Sequence, residues 1–514
     1  MAELQEGSPE WMVEQCLKTM RDDAQDINEW DNYLAGRHRP VYIPDNADAE
    51  FVEIARRAPL NMIPLVINSV TQVCHVEGFR HSKALDAASE DDPTDGLPPE
   101  MVVWQRNRMD ARQLPAVQAY ANHGIVYTLT RRDPRDENLA RFECYTALQA
   151  CALYSDPVND TAPEWAVVIK KGDLSNPREV HLYGETDWWI LTQRPKGGGW
   201  AVEEMGPHGN SECPLSRATL RMNLNGRPTG LTEQLVVPQD QINQTSFDVL
   251  TTQSWGAFKV RTATGMTVPI RRWTRTDIEL AFPEPTPEST PEEVEAYNDR
   301  PRIGDPMLDR EGQEIPLPIP MSLKRTLVAE DPDTKFGTLD ETDLRPYLDA
   351  LDARIKHFAA ISQTPATYFM GEMANLSAES LKAAEVSKAR RDDEIRLGLG
   401  EMWERALTLA MEIEGESDRA SDVGTELKWA DKDPSSFAAT VDALGKMVEM
   451  LEVPPTFAWE MIPGMTQPGL VHLHQLKRAW EEEHPEVALA RTFEQADIFD
   501  RLNEDRAFAE PEAA

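Results

Sequence analysis

The hydrophobic and polar positions at the start of the chain repeat with helical spacing. Ser8, Pro9 and Glu10 precede Trp11 and combine a capping hydroxyl, a first-turn proline and an acid near the positive end of the helix dipole, which is typical of a helix start. We expect this helix to run to about Leu34. Further elements are predicted over residues 48–73 and 101–122 as helices and over residues 76–79 as an extended piece.

Between residues 124 and 204 the spacing changes from helical to extended. Six short runs are rich in β-branched and aromatic residues and are separated by Asp-Pro, Asn-Pro and triple-glycine turn sequences. The runs cover residues 125–130, 142–148, 165–169, 180–183, 188–192 and 200–202. This pattern predicts an antiparallel meander, and with the flanking helices it predicts an α+β domain that ends near Pro238.

The middle of the chain departs from both patterns. Residues 239–258 form a helix candidate dominated by Gln, Asn, Thr and Ser, and ten of the 38 prolines follow between Pro269 and Pro320. The acidic, proline-rich stretch 283–295 can neither pair inside a sheet nor continue a helix, so we expect a small irregular subdomain with an exposed acidic loop.

Helical spacing returns in the last third. An apolar stripe predicts a helix over residues 340–361, a short interruption follows, and residues 377–414 can form one long helix. Gly398 and Gly400 inside that helix predict a kink, since each costs roughly 1 kcal/mol relative to alanine. Residues 433–514 are predicted to be helical with Pro-Gly breaks. The apolar stripe of the helix predicted over residues 340–361 consists of Leu344, Leu348, Leu351, Ile355 and Phe358.

Composition narrows the functional classes. The 514 residues include 52 Lys and Arg against 89 Asp and Glu, a formal net charge of −37 that argues against tight wrapping of nucleic acid or binding to an anionic membrane. The five cysteines are scattered without a C-x-x-C pair, which fits a reducing cytoplasm rather than a disulfide framework or a zinc ribbon. No signal peptide pattern is present, and the most apolar run, residues 60–73, is too short and polar to span a bilayer.

Catalytic signatures are also missing. The sequence contains no P-loop, no G-x-G-x-x-G, no H-E-x-x-H and no G-x-S-x-G, so it predicts neither an enzyme nor a bound cofactor or metal. Surface histidines account for His472 and His474 better than a metal site does, because no third ligand is spaced for one.

Three stretches resemble a known family. Trp104, Asn107 and Asp110, followed by Gly124 and Tyr127, are similar to the W-x-x-N-x-x-D…G-x-x-Y segment of actinobacteriophage portal proteins. Residues 238–245 (Pro-Gln-Asp-Gln-Ile-Asn-Gln-Thr), and residues 361–365 together with 375–380, are similar in the same way. The similar pattern covers about residues 41–415.

The resemblance implies a non-enzymatic head–tail connector: a ring, usually a dodecamer, at the portal vertex of a tailed bacteriophage capsid. Such a ring would form the DNA channel for viral genome packaging and ejection and would sit in the virion after assembly in the host cytoplasm. Its expected partners are further copies of itself, the major capsid protein, the terminase large subunit, the head–tail adaptor and double-stranded DNA, without a membrane.

The fold implied by the resemblance is a portal-type α+β subunit divided along the chain. It has a mixed α/β wing, a helical stem, a small α/β clip, a long kinked helix and an α-helical crown. The implied segments are an N-terminal helix (1–40), the wing (41–237), stem helix 1 (238–258), the clip with the proline-rich insertion (259–333), stem helix 2 (334–361), the tunnel loop (362–376), the long kinked helix (377–415) and the crown (416–514).

Several residues are candidates for contact with DNA or partners within that frame. In the tunnel loop these are Thr367, Tyr368, Phe369 and Met370; the three large side chains could lean on the DNA grooves or plug between subunits. Basic channel candidates are Arg354, Lys356, Lys382 and Lys388, for which pairing with acidic neighbours is the competing interpretation. Arg271, Arg272 and Arg275 are adaptor-contact candidates, against the simpler interpretation of a solvated turn.

Two other functional classes remain open from the sequence alone. An acidic cytoplasmic hydrolase would assemble its site from dispersed carboxylates, and it would be a monomer or small oligomer with a metal-dependent activity. A different minor capsid protein would lie inside the head without forming a central pore.

Overall fold

The computed structural model describes most of the chain. The described residues are 5–43, 49–80, 97–195, 199–256, 261–264, 270–286, 290–309, 312–315, 335–338, 343–371, 378–422, 424–430, 437–451, 458–459, 461–462, 465 and 467–484. They divide into two compact units. Unit 1 comprises Met1–Asp248 and Tyr347–Ala514, and unit 2 comprises Val249–Pro346.

Unit 1 begins with five helices. The first starts as predicted, because the Ser8 side chain accepts a hydrogen bond from the Trp11 amide. The single helices predicted over 48–73 and 101–122 are each two helices, and the second pair is separated at Arg108, whose φ of 54° is left-handed. The five are α1 (Pro9–Leu34), α2 (Ala49–Arg57), α3 (Ile63–Thr71), α4 (Pro99–Arg106) and α5 (Met109–His123).

The strands described in unit 1 form three antiparallel sheets. The strands are β1 (Val76–Arg80), β2 (Ile125–Asp133), β3 (Asp136–Thr146), β4 (Ala150–Leu153), β5 (Trp165–Gly172), β6 (Pro177–Tyr183), β7 (Asp187–Gln193), β8 (Trp200–Pro207), β9 (Leu215–Thr219) and, later in the chain, β12 (Glu426–Trp429). Strands β4 to β8 pair in chain order, which confirms the predicted meander for its last four runs, residues 165–202. The meander prediction is wrong for the first two runs, because β2 and β3 form a separate sheet in the order β3-β2-β9. Two short strands, β4 and β9, were not among the six predicted runs.

Helix α1 contributes to two cores of unit 1. Its first half packs Val13, Cys16 and Leu17 on the five-stranded sheet, and Trp30 and Tyr33 in its second half belong to the main core. The predicted N-terminal helix is therefore built into the sheet domain by apolar burial at both ends.

The rest of unit 1 is mainly helical. It contains part of α6 (Leu231–Gly256) and α9 (Arg345–Ile361), and all of α10 (Thr367–Met370), α11 (Ala378–Glu414), α12 (Ser417–Ala420), α13 (Phe437–Leu451) and α14 (Gln467–Glu483). Helix α6 begins eight residues before the predicted Gln239 and runs through Pro238, so the predicted wing boundary lies inside a helix.

One strand overturns part of the helical prediction for 416–514. Strand β12 pairs antiparallel with β1, with Val76 opposite Trp429, and so returns to the sheet domain more than 300 residues later in the chain. The four residues of β12 show no helical spacing of apolar positions, and they form a strand by pairing with the distant β1. Residues 485–514 of the predicted crown lie outside the described residues.

Unit 2 contains short elements. They are β10 (Arg261–Thr264), α7 (Arg275–Ala281), α8 (Pro291–Asn298) and β11 (Lys335–Thr338). The assignment of 334–361 to a stem helix is wrong at its start, because β11 pairs antiparallel with β10 and the helix begins at Arg345. The acidic loop predicted over 283–295 also ends in a helix, since Thr290 caps α8 and Pro291 occupies its first turn.

Candidate functional site

Part of α6 is tied to the chain that precedes α3. We call residues 239–244 the stem root. Gln239 is fully buried; its amide nitrogen donates to the Leu60 carbonyl at 2.6 Å, and its oxygen accepts from the Met62 amide at 3.0 Å. The Asn243 side chain, 1% exposed, accepts from the Leu60 amide at 3.2 Å. The polar sequence of this helix is thus explained by buried hydrogen bonds rather than by solvent exposure.

A tyrosine of α1 holds the same root from another side. The Tyr33 hydroxyl donates to the Asp240 carboxylate at 2.5 Å, and burial together with that carboxylate raises the pKa of Tyr33. His38 stacks on the Tyr33 ring with centroids 4.9 Å apart and receives a hydrogen bond from Asn243 at 2.9 Å. Because these partners come from α1 and the segment after it, the root is fixed to the core of unit 1.

The W-x-x-N-x-x-D segment has a comparable structural role. The Asn107 amide donates to the Val103 and Ala140 carbonyls at 2.9 and 3.1 Å, and its oxygen accepts from the Phe142 amide at 3.0 Å. Trp104 donates from its indole nitrogen to Asp110 at 3.0 Å. These residues tie the break between α4 and α5 to the edge of β3, so the segment that carries the resemblance is a buried anchor.

The apolar stripe of α9 divides into two halves. Ile355 and Phe358 are buried in the main core, and Leu351 is half-buried against it. Leu344, just before the helix, is half-buried and Leu348 is 48% exposed, so the described residues cover the first half of the stripe less than the second half.

The two basic candidates on α9 have different surroundings. Arg354 donates to the Gln241 side chain of α6 at 3.0 Å, and that bond joins the two predicted stem helices. Lys356 is exposed, so it is available for contact with a ligand.

The described part of the predicted tunnel loop contains a single helical turn. Phe369 packs edge-on against Phe358 with ring centroids 5.5 Å apart, and Phe369 and Met370 lie against the main core. Thr367 is half-buried, whereas Tyr368 is 45% exposed. Among the four loop candidates, Tyr368 is therefore the one best placed to contact a ligand; residues 372–376 lie outside the described residues.

The basic candidates on α11 are less accessible. The Lys388 ammonium lies 2.8 Å from an oxygen of Asp392, and its side chain is 12% exposed. That geometry favours the pairing interpretation for Lys388. Lys382 lies within α11, but its side chain is outside the described part of the structure.

Gly398 and Gly400 lie in a helix that is continuous from Ala378 to Glu414. A Cβ atom at Gly398 would lie 2.2 Å from the Tyr120 hydroxyl oxygen and 3.1 Å from the Thr219 carbonyl oxygen, whereas one at Gly400 would have only ordinary contacts from 3.8 Å. Gly398 is thus required for the close approach of α11 to α5. The predicted kink stays a prediction.

The three arginines proposed for adaptor contact lie in unit 2 and are exposed. Arg272 donates to the Gly304 carbonyl at 2.8 Å, Arg275 pairs with Glu279 at 3.2 Å within α7, and Arg271 lies 3.8 Å from Asp277. Arg271 and Arg275 have partners within seven residues and Arg272 donates to a carbonyl 32 residues away, but the three guanidinium groups are exposed and have further donors toward solvent.

A polar cavity of 590 Å³ in unit 1 is lined by carboxylates and arginines of α4, α11 and the loops beside them. Its charges form pairs: Arg405 lies 2.5 Å from Glu212, and Arg419 lies 3.0 Å from Glu100. Burial raises the pKa of Glu404 at its wall. Of the carboxylates gathered here, Glu212 and Glu100 are partners of arginines, and Glu404 accepts from the Leu427 amide at 3.2 Å.

Metal, disulfide and membrane features are absent from the parts of the chain that the structure describes. No group of three or more His, Cys, Asp or Glu side chains there is arranged to hold a metal ion. The five cysteines are free thiols. No described helix is both long and apolar enough to cross a bilayer.

Sequence reasoning missed Arg391 and Asp392 of α11, which are 2% and 1% exposed. A signal was available, because Arg391 precedes Ile395 by four residues and Leu399 by eight, on the apolar stripe of the helix. An arginine on such a stripe must find buried partners.

Comparisons with known proteins identify the family to which the chain belongs. The family model described as "Phage portal protein, SPP1 Gp6-like" matches residues 13–487. The portal protein of Mycobacterium phage L5 is 24% identical over 448 residues, covering 85% of this chain and 82% of the relative. The portal protein of Mycobacterium phage D29 is 23% identical over 443 residues, covering 84% and 81%. The match includes the stem root, α9, the loop and α11, and the chain therefore belongs to the SPP1 Gp6-like family of phage portal proteins.

Proposed function

We propose that this chain is the subunit of a twelve-membered ring at the portal vertex of the virion capsid, through which DNA is packaged and ejected. The observation that carries the proposal is the family match over residues 13–487, which includes every segment assigned to the channel. The half-uncovered stripe of α9 supports it, because Leu348 and Tyr347, 48% and 37% exposed, would be covered by a neighbouring subunit.

The proposed channel wall comes from α6, α9 and the loop. Arg354, Lys356 and Tyr368 are the described residues proposed to face DNA, and Lys382 remains a fourth candidate. A subunit charge of −37 makes most of the wall repel phosphates, so DNA slides with a few local contacts instead of adhering. Lys388 is left out because its ammonium is held by Asp392.

Unit 2 is the proposed docking site for the head–tail adaptor and the terminase large subunit, and the sheet domain of unit 1 is proposed to face the major capsid protein. The support for docking at unit 2 is its exposed Arg271, Arg272 and Arg275, whose donors can pair with acidic groups of a partner. Assembly of the ring is proposed to take place in the host cytoplasm before the capsid closes.

The ring is tested by mass and imaging. Twelve subunits of 57.9 kDa give a particle of about 695 kDa, to be measured by native mass spectrometry and negative-stain images with a central pore. Leu348→Asp should prevent ring formation because it places a charge in the subunit contact, whereas Leu348→Met should assemble. A 57.9 kDa monomer that persists when the major capsid protein is co-expressed would contradict the proposal.

A further inference from the structure

A buried arginine of α11 holds the point where the chain leaves α9. The Arg391 guanidinium donates from Nη1 to the Ser362 carbonyl and to the Thr364 hydroxyl, both at 2.8 Å. From Nη2 it donates to the Ser69 hydroxyl of α3 at 3.2 Å. One side chain therefore joins three separate parts of unit 1: the long helix, the start of the loop and α3.

The charge of this arginine is compensated inside the protein. Asp392 accepts from Arg391 Nη2 at 3.0 Å on one oxygen and from the Lys388 ammonium at 2.8 Å on the other. A buried guanidinium is costly unless its donors are satisfied and its charge is paired. The cluster meets both conditions, so its geometry is narrowly defined.

The backbone between the two loop acceptors has an uncommon conformation. Gln363 has a φ of 54°, a left-handed value that non-glycine residues rarely adopt, and it lies between Ser362 and Thr364. Its side chain accepts from Arg221 at 3.0 Å, and Arg221 also pairs with Glu394 of α11 at 3.1 Å. Two arginines thus connect the same sharp turn to the long helix.

The turn determines where the exposed part of the loop begins. Thr364 is 3% exposed and the next residues form α10, which presents Tyr368 to solvent while Phe369 packs inward. The direction of α10 therefore depends on how the chain leaves residue 364.

We propose that Arg391 is a positioning residue for DNA passage: it fixes the direction in which residues 365–371 leave α9 and couples their position to α11. This inference rests on the proposed function of the loop. A displacement of the loop by moving DNA would then be resisted by α11 and α3 together instead of being absorbed at a free hinge after α9.

Two substitutions separate positioning from general stability. Thr364→Val and Ser69→Ala each remove one hydroxyl acceptor from the same guanidinium, and each hydroxyl also donates to a nearby carbonyl, at 3.3 and 2.7 Å. We expect similar losses of thermal stability from both, and rings from both. Only Thr364→Val is expected to raise hydrogen–deuterium exchange of the amides of residues 366–371 and to lower DNA-filled capsids, by roughly tenfold. Thr364→Ser keeps the hydroxyl and should restore both readouts.

The measurements distinguish a failure of the positioning role from a failure of the proposed ring function. Three results would each overturn the positioning role. They are an equal loss of DNA-filled capsids in Ser69→Ala, unchanged hydrogen–deuterium exchange of the loop in Thr364→Val, and raised exchange with normal packaging in Thr364→Val. Failure of the wild-type chain to form a ring would instead contradict the proposed function, and it is detected beforehand by the particle mass. If Thr364→Val does not assemble, Thr364→Ala provides the same measurement.

Discussion

In unit 1 the motif amides Gln239 and Asn107 are buried and paired with distant backbone, whereas in unit 2 the arginines proposed for partner contact are exposed. Gln239 is completely buried, while Arg275 is 82% exposed and pairs with Glu279 one turn away. Among the described residues of unit 2, the buried apolar side chains are Ile278 and Met307. Buried polar side chains therefore help to hold the structure of unit 1, whereas the exposed arginines of unit 2 remain available to partners.

The largest expected loss of stability comes from removing a buried anchor, Gln239. Gln239→Ala removes the partners of the Leu60 carbonyl and the Met62 amide and leaves a cavity, so we expect a loss of roughly 2–4 kcal/mol in the free energy of unfolding. Arg275→Ala removes an exposed pair within one helix and should change stability by less than about 0.5 kcal/mol. Urea unfolding of both variants checks the comparison, and equal losses would refute it.

An intermediate effect is expected at the contact between α11 and α5. Gly398→Ala forces a methyl group against the Tyr120 hydroxyl and should destabilise unit 1 by roughly 1–3 kcal/mol. Gly400→Ala is the matched control on the same helix; its methyl group has room, and it should be neutral or stabilising by up to about 1 kcal/mol. Thermal unfolding measures both. A stabilising Gly398→Ala would contradict the close contact between α11 and Tyr120.

The remaining effect is confined to acid pH and distinguishes a buried carboxylate of unit 1 from an exposed carboxylate of unit 2. Burial alone would raise the pKa of Glu143, but hydrogen bonds from Arg131, Lys170 and Tyr145 outweigh it and lower that pKa to about 2. The folded protein thus binds fewer protons at this site than the unfolded chain, and its stabilisation is present above the ordinary glutamate pKa.

As pH falls from about 4.5 toward 2, this stabilisation should be lost, on the order of 1–3 kcal/mol. Glu143→Gln should remove that part of the pH dependence, which denaturant titrations between pH 2 and 6 can measure. In unit 2, a hydrogen bond from Thr274 lowers the pKa of Asp277, but that carboxylate is exposed, so Asp277→Asn should leave the acid limb almost unchanged. Parallel pH profiles for wild type and Glu143→Gln would contradict the assignment.

Much of the local structure could be predicted because the relevant signals are short-range. Ser8 caps α1 as expected, the alternating runs became β5 to β8, and the stripe that ends at Phe358 is buried at its second half. The site was predicted less well. Tyr368 is exposed, but Phe369 and Met370 pack inward, and hydrophobic residues in a loop do not by themselves indicate which side they face.

The sequence by itself determined the α+β class, the existence of long helices such as α1 and α11, and the family, because periodicity, caps and ordered motifs are properties of neighbouring residues. Only the tertiary structure decided what the motif residues do: Gln239 meets Leu60, Arg391 meets Thr364 and Ser69, and β12 meets β1. The physical reason is that a buried polar group must be satisfied by whatever backbone or side chain the fold brings to it. Those partners lie far away in the chain, and their identity follows only from the packed core.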